Sequence, residues 1–196
     1  MNFFPYGGLI EKLIFANKDK QEVKQIKKFL YLVSIQLDKI EDKKLDKNFL
    51  NSEEAYILFK RILEKVRLES RETKIHLFKN FLLKSMLSEE FAPRNDIDKE
   101  YILSKIETLD VEQFAILKWY FDNNFLESRQ LGSEYGHRKK LELAQLSRYY
   151  KEFENDLMVY GLLEDVSAGR MGSGMHYYVP SSLGKVVYNF IKYDDI

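Results

Sequence analysis

The residues whose types and spacing most resemble a catalytic motif are a serine and a lysine near the carboxyl terminus. Ser182 and Lys185 have the S-x-x-K spacing of serine acylases, in which the lysine, one helical turn further on, deprotonates the serine. The companion motifs S-D-N and K-T-G are absent from the chain. A serine that caps a helix, beside an ordinary surface lysine, is therefore the favoured interpretation.

A glycine-rich segment and three histidines are the other candidates for chemistry. The segment GRMGSG at 169–174 has the glycines of a phosphate-binding loop, but no Lys-Ser or Lys-Thr pair follows it. The histidines, His76, His137 and His176, are isolated, and the absence of cysteine excludes thiolate metal sites and cysteine nucleophiles. We therefore predict that the protein is not an enzyme and has neither a metal site nor a cofactor.

The composition is typical of a globular protein built from long regular elements. The 196 residues include 31 Lys and Arg against 31 Asp and Glu, 45% hydrophobic residues, three prolines and nine glycines. No stretch approaches the roughly 20 apolar residues of a membrane span, and residues 1–16 lack the basic start of a signal peptide. The sequence predicts a soluble, cytoplasmic protein of one domain, or of two small domains that share a core.

Apolar residues recur at helical spacing through the first half of the chain. Residues 21–40 carry an apolar stripe at intervals of three and four, which predicts an amphipathic helix. A second helix is predicted to begin at a capping pair formed by Asn51 and Glu54. Because no glycine or proline lies between Asn51 and Ala92, we favour one long helix, straight or bent, over two helices joined near Ser70. A short helix is predicted over 97–108.

Start and stop signals are sharper in the second half of the chain. Asp110 and Gln113 have the spacing of a capping box and predict the start of another helix. Residues 126–140 contain two glycines and are predicted to form a loop. A helix is then predicted over 141–160, and Gly161 is expected to end it with a positive φ.

A β-hairpin and a last helix are predicted after Gly161. Short strands at 162–166 and 175–179 flank a flexible turn at Ser167–Gly174, and Ser181 or Ser182 is expected to cap a helix over Leu183–Ile191. The predicted fold class is mainly α. An N-terminal helical region over 1–107 precedes a domain over 108–196 that contains the small β-hairpin.

The order of these C-terminal elements resembles the winged helix-turn-helix superfamily. The residues that carry the resemblance are Gly161, Leu162 and Leu163 after a helix, then the hairpin, then Ser182, Leu183 and Gly184. The superfamily has threonine where this chain has Ser182. The resemblance implies that the helix before the hairpin enters the major groove of DNA, and that the hairpin, called the wing, touches phosphates or the minor groove.

Six cations are the candidate DNA contacts that follow from this resemblance. We expect Arg148 and Lys151 near bases, and four others at phosphates: Arg138, Lys139, Lys140 and Arg170. The charge balance argues in the other direction, because residues 108–196 hold 10 Lys and Arg against 13 Asp and Glu. Strong duplex binding normally needs a basic surface. Double-stranded DNA and a protein partner therefore both remain open.

The first half of the chain suggests a wider resemblance. Residues 63–70 followed by Lys74 and Ile75, and residues 109–117 before the wing, are similar to uncharacterised bacterial and prophage proteins, some grouped with abortive-infection proteins of phage defence. No catalytic residue is implied. The prediction is a non-enzymatic bacterial or prophage regulator that binds DNA. The alternative is a protein-interaction adaptor or phage-defence-associated factor whose winged helix is structural.

Two runs of apolar residues in the helical half suggest self-association. Residues 30–33 and 81–83 extend the apolar surface beyond one narrow stripe, and a helix that is apolar on most sides must bury more than one of them. We predict a homodimer held by helices within 21–87. The alternative is that the first helix and the helix that begins after Asp110 close the core within one chain.

Overall fold

A computed structural model describes residues 19–93, 97–123, 133–166 and 178–192, with the backbone alone for 133–138 and 140. The helices are α1 (Lys20–Leu37), α2 (Lys47–Leu50), α3 (Glu53–Val66), α4 (Glu72–Ser85), α5 (Lys99–Thr108), α6 (Val111–Asp122), α7 (Ser133–Leu146), α8 (Tyr150–Val159) and α9 (Ser182–Ile191). A 3-10 turn spans Asp42–Lys44, and β1 (Leu163–Asp165) pairs antiparallel with β2 (Tyr178–Pro180). The predicted mainly α fold with a small hairpin is confirmed. Within these ranges, none of the helices has both the length and the apolar character needed to cross a bilayer.

The described residues form two compact units. The first unit contains the described residues up to Glu107 together with 190–192, and the second unit contains those from Thr108 to Asn189. Each unit has a central helix with apolar side chains on several sides, which is α4 in the first unit and α6 in the second.

The core of the first unit is built around α4. Helices α1 and α3 pack against it and contribute apolar side chains that are fully buried, among them Ile26, Phe29, Leu58 and Ile62. Residues 81–83 of α4 are at most 1% exposed. Their apolar surface is therefore buried within the chain and does not provide the dimer contact that the sequence predicted.

The long helix predicted after Asn51 is wrong, because α3 ends at Val66 and α4 begins at Glu72. The Glu69 carboxylate accepts hydrogen bonds from the Arg71 backbone amide at 2.9 Å and from its guanidinium at 2.9 and 2.8 Å. The hydrogen bond from the Arg71 side chain lowers the pKa of Glu69. This local pair holds a tight connection without glycine or proline. The cap of α3 is also one residue later than predicted, since Ser52 accepts from Ala55.

Two lysines donate to backbone oxygens near helix ends in the first unit. Lys74, 2% exposed, donates from its ammonium group to the backbone oxygen of Ile106, near the end of α5. The Lys99 ammonium donates to the backbone oxygen of Ser85, the last residue of α4, at 3.2 Å. The last carbonyls of a helix lack intrahelical donors and carry partial negative charge. Both ammonium groups thus donate to backbone oxygens near helix ends.

The start of the second unit matches its sequence signal. Asp110 and Gln113 form the predicted capping box, in which the Gln113 side-chain oxygen accepts from the Asp110 amide at 2.8 Å. Helix α6 then buries four large side chains: Phe114, Ile116, Leu117 and Tyr120. The Gln113 side-chain amide also donates to the Asp156 carboxylate at 2.9 Å, so the cap of α6 is joined to α8.

The end of α8 has the glycine stop that the sequence predicted. Gly161 has a φ of 76°, its amide donates to Met158 at 2.9 Å, and the Leu162 amide donates to Leu157 at 2.8 Å. This pair of hydrogen bonds is a Schellman motif. Leu157 and Leu162 are both fully buried, which supplies the apolar contact that accompanies the motif. The chain therefore turns sharply from α8 into β1.

The junction between β2 and α9 is fixed by a serine cap. The Ser181 hydroxyl accepts from the Gly184 amide at 2.8 Å and donates to the backbone oxygen of Gly161. The Ser181 amide donates to the backbone oxygen of Leu162 at 3.1 Å. Of the two predicted caps, Ser181 is the one that the structure uses. The predicted hairpin turn at 167–174 and residues 175–177 of the predicted second strand lie outside the described residues.

Two predictions between α6 and Gly161 are wrong. The loop predicted over 126–140 is helical from Ser133, where α7 begins, and the single helix predicted over 141–160 is interrupted at 147–149. The apolar spacing continues across that interruption and therefore conceals it. Two helices joined by a three-residue connection therefore precede the hairpin, in place of the predicted loop and single helix.

Candidate nucleic-acid interface

Helices α7 and α8 are joined by a tight turn. Helix α7 ends at Leu146 and α8 begins at Tyr150, so only residues 147–149 connect them. The Ser147 hydroxyl accepts from the Tyr149 amide at 3.1 Å, and the Ser147 backbone oxygen accepts from the Tyr150 amide at 3.2 Å. Ser147 is only 6% exposed. These bonds satisfy backbone groups at the turn and fix the start of α8.

A buried ion pair anchors α8 to the two helices before it. The Glu154 carboxylate, in α8, accepts from the Tyr120 hydroxyl of α6 and lies 2.9 Å from the Lys139 ammonium of α7. The side chains of Lys139 and Glu154 are 10% and 7% exposed. The Lys139 ammonium also lies 5.1 and 5.4 Å from the ring centroids of Tyr120 and Tyr178. This cluster links α6, α7, α8 and β2.

The ion pair corrects one predicted DNA contact. Lys139 was expected at phosphates as part of a basic run, but its ammonium lies inside the second unit, on Glu154. The pair also removes the Glu154 carboxylate from the exposed surface of α8. Lys139 therefore positions α8 and is not available to a phosphate.

The amino-terminal half of α8 and the turn before it expose polar side chains. The exposed residues here are Arg148, Tyr149, Lys151, Glu152 and Asn155. The Arg148 guanidinium lies over the Tyr149 ring at 4.6 Å. Neither Arg148 nor Lys151 has a carboxylate partner within the part of the chain that the structure describes. Lys151 and Asn155, four residues apart, lie on one face of the helix.

A tyrosine on the hairpin orients the last of these polar side chains. The Tyr178 hydroxyl of β2 donates to the Asn155 side-chain oxygen at 3.3 Å. Burial, followed by the carboxylates of Glu154 and Asp165, raises the pKa of Tyr178. The phenol thus stays protonated and remains a donor near neutral pH. Among the described residues the Asn155 side chain has no other partner, so its nitrogen and the second lone pair of its oxygen remain for a ligand.

Two of the six predicted DNA contacts have exposed side chains in the structure. Arg148 and Lys151 are exposed at the start of α8, as that prediction requires. Arg138 and Lys140 lie on α7, but their side chains are outside the described residues, as is all of Arg170. Sequence reasoning did not assign roles to Tyr178 and Tyr149 at this surface.

Apolar side chains are exposed at the other end of α8. Val159 is 79% exposed and Met158 is 37% exposed. These residues lie in the last turn of the helix, away from the turn at 147–149. The surface of α8 is therefore polar at its amino-terminal end and apolar at its carboxyl-terminal end.

The first unit contains a cavity of about 640 Å³. Its lining includes Asp46, Asp98 and Lys99. Both carboxylates accept from backbone amides at helix starts, Asp46 at 3.0 Å from Asn48 and Asp98 from Glu100 at 2.6 Å. Asp46 and Asp98 therefore serve as helix caps. No cluster of metal-binding side chains occurs among the described residues.

Comparisons with known proteins give no relative for this chain. No family model, no curated protein and no solved structure matches it. The candidate interface is therefore defined by its own residues: the exposed side chains of 148–155 and the buried cluster beneath them.

Proposed function

We propose that the protein is a non-enzymatic DNA-binding regulator of bacterial or prophage type, in which α7, α8 and the β1–β2 hairpin form a winged helix. The observation that carries the proposal is the tight turn at 147–149, which presents the exposed start of α8 directly before a paired hairpin. In helix-turn-helix proteins the second helix enters the major groove, and its amino-terminal residues contact base edges.

The exposed side chains have the chemistry that base recognition requires. Arginine and lysine donate to the guanine O6 and N7 atoms, and asparagine makes a bidentate contact with the adenine N6 and N7 atoms. Arg148, Lys151 and Asn155 are exposed and supply these groups. The amino-terminal end of α8 also carries the positive end of the helix dipole, which favours nearby phosphates.

The remaining predicted contacts take supporting roles in this proposal. Arg138 and Lys140 on α7, and Arg170 in the wing, neutralise phosphates at the edges of the groove. Lys139 holds the recognition helix in place through Glu154. This arrangement assigns base contacts to α8 and backbone contacts to the residues on either side of it.

Paired substitutions on α8 test the proposal. The double variant Arg148→Ala, Lys151→Ala is expected to bind a duplex selected from a random-sequence pool at least tenfold more weakly, since each base contact is worth about 1–3 kcal/mol. The matched control is Lys118→Ala, Lys185→Ala, which removes the same charge from α6 and α9 of the second unit. Fluorescence anisotropy measures both affinities. Equal affinities of the two double variants would contradict the assignment to α8.

The alternative function is a protein-interaction adaptor, and the exposed apolar end of α8 favours it. Val159, 79% exposed, and its neighbour Met158 are of the type found at protein interfaces. Double-stranded DNA would gain nothing from either side chain, whereas a protein partner would bury both.

The substitution Val159→Lys separates the two functions. If α8 binds DNA, the added cation is expected to leave duplex affinity unchanged or to raise it by a few-fold, because it adds attraction to phosphates. If α8 contacts a protein, the buried charge should abolish that contact. Duplex affinity that falls more than tenfold in this variant would contradict the proposed orientation of α8.

A further inference from the structure

The solvent face of α1 carries three exposed lysines in line with an exposed tyrosine. Lys20, Lys24 and Lys27 follow one another at intervals of four and three residues, and Tyr31, 65% exposed, continues the same line. Residues three and four apart on a helix lie on one face. These four residues are called the α1 stripe below.

The charge of the α1 stripe is not neutralised by acidic residues of α1 or of its amino-terminal cap. The Asp19 carboxylate caps α1 by accepting from the Gln21 amide at 2.7 Å. Glu22 lies 3.4 Å from Arg67, the residue that follows α3, and is only 21% exposed. Within the described ranges, Lys20, Lys24 and Lys27 have no ion pair, whereas the neighbouring Lys28 is paired with Glu72 at 3.1 Å. With respect to the residues that the structure describes, the stripe is therefore an unpaired basic surface.

The opposite face of α1 excludes one class of anionic partner. Its apolar residues Ile26, Phe29 and Val33 are fully buried in the first unit. An amphipathic helix that binds a membrane inserts its apolar face into the lipid. Because that face is already used by the protein core, α1 cannot insert into a bilayer, and the stripe offers only cations and one tyrosine, which suit a polyanion.

The dimensions of the stripe suit the backbone of duplex DNA. At 1.5 Å per residue, Lys20 and Lys27 are separated by about 10 Å along the helix axis. A duplex presents one phosphate per about 1.7 Å of its axis, so about six phosphates lie within that length. Tyrosine hydroxyls also donate to phosphate oxygens.

Basic residues are in excess in the half of the chain that contains the stripe and not in the half that contains α8. Residues 108–196 hold 10 Lys and Arg against 13 Asp and Glu, whereas residues 1–107 hold 21 against 18. Affinity for a duplex depends on the number of phosphates neutralised. A DNA-binding surface on α8 alone would lack this attraction.

We propose that the α1 stripe is a second DNA-contacting surface, which binds the phosphate backbone without regard to sequence. This inference rests on the proposed function only in taking duplex DNA as the ligand. It does not depend on α8. The stripe provides attraction and α8 provides discrimination between sequences.

A salt titration with charge-matched variants tests the stripe. The triple variant Lys20→Ala, Lys24→Ala, Lys27→Ala is compared with the control Lys43→Ala, Lys60→Ala, Lys65→Ala, which removes the same charge from other exposed positions of the first unit. Binding of a labelled duplex of random sequence is measured by anisotropy between about 50 and 200 mM salt. The stripe variant should lose about three phosphate contacts. Between about 50 and 200 mM salt the factor by which its affinity falls should therefore be about 40 times smaller than the factor for wild type. The control should keep the wild-type dependence.

The outcomes separate the stripe from α8. Equal salt dependence in both triple variants, or no wild-type binding at about 50 mM salt, would overturn the inference. A changed slope in the stripe variant alone, with Arg148→Ala, Lys151→Ala silent, would support the stripe and contradict the proposed role of α8. The variant Lys20→Arg, Lys24→Arg, Lys27→Arg should restore the slope, which shows that charge and not folding is measured.

Discussion

Replacement of Glu154 by alanine is expected to destabilise the second unit by about 3–5 kcal/mol. The substitution leaves the Lys139 ammonium, 10% exposed, without the carboxylate that lies 2.9 Å away. Removal of one partner of a buried ion pair strands the other charge in a medium of low polarity. The Tyr120 hydroxyl, which donates to the same carboxylate, loses its acceptor as well.

Urea unfolding measures this loss, with the fluorescence of Trp119 as the probe. Trp119 is the one tryptophan in the chain, and in α6 it donates to the Glu142 carboxylate at 2.9 Å, so its signal reports on the second unit. The neighbouring exposed carboxylate provides the control, since Glu152→Ala should change stability by less than about 0.5 kcal/mol. The double variant Lys139→Met, Glu154→Leu should recover most of the lost stability. A loss below about 1 kcal/mol in Glu154→Ala would show that the ion pair does not anchor α8.

Replacement of Gly184 by alanine is expected to cost about 2–3 kcal/mol. The added Cβ would stand 2.0 Å from the backbone oxygen of Leu162 and 2.9 Å from its carbonyl carbon. That oxygen is also the acceptor for the Ser181 amide, so it cannot move without loss of the junction between β2 and α9. The added Cβ therefore clashes with backbone atoms, and rotation of a side chain cannot relieve the clash.

A second glycine separates this clash from backbone strain. At Gly161 a Cβ would meet nothing closer than 3.6 Å, so Gly161→Ala suffers only from its φ of 76°. The expected cost there is about 1–2 kcal/mol. Trp119 fluorescence in urea measures both variants. A larger loss for Gly161→Ala than for Gly184→Ala would contradict the close packing of α9 on Leu162.

The features that the sequence predicted correctly have local signals. The capping box at Asp110, the positive φ at Gly161 and the antiparallel strands after it each depend on a few neighbouring residues. Signals of this kind can be read from the sequence because the residues that interact are close together in it.

The features that the sequence missed depend on side chains that contact distant residues or interrupt a regular pattern. The breaks at 67–71 and 147–149 contain no glycine or proline and are held by hydrogen bonds of Glu69 and Ser147. Lys139 was predicted to be exposed because it lies in a basic run, and its burial depends on Glu154, Tyr120 and Tyr178. Such partners are known only once α6, α7, α8 and β2 are packed together.

The most direct test of DNA binding through α8 is a backbone NMR titration of the full chain with a duplex selected from a random-sequence pool. At 23.4 kDa the chain is small enough for its amide signals to be assigned and followed. The account predicts that the amides of residues 147–155 shift as duplex is added, and that these shifts are lost in Arg148→Ala, Lys151→Ala. A saturated complex in which the amides of 147–155 keep their free positions would contradict it.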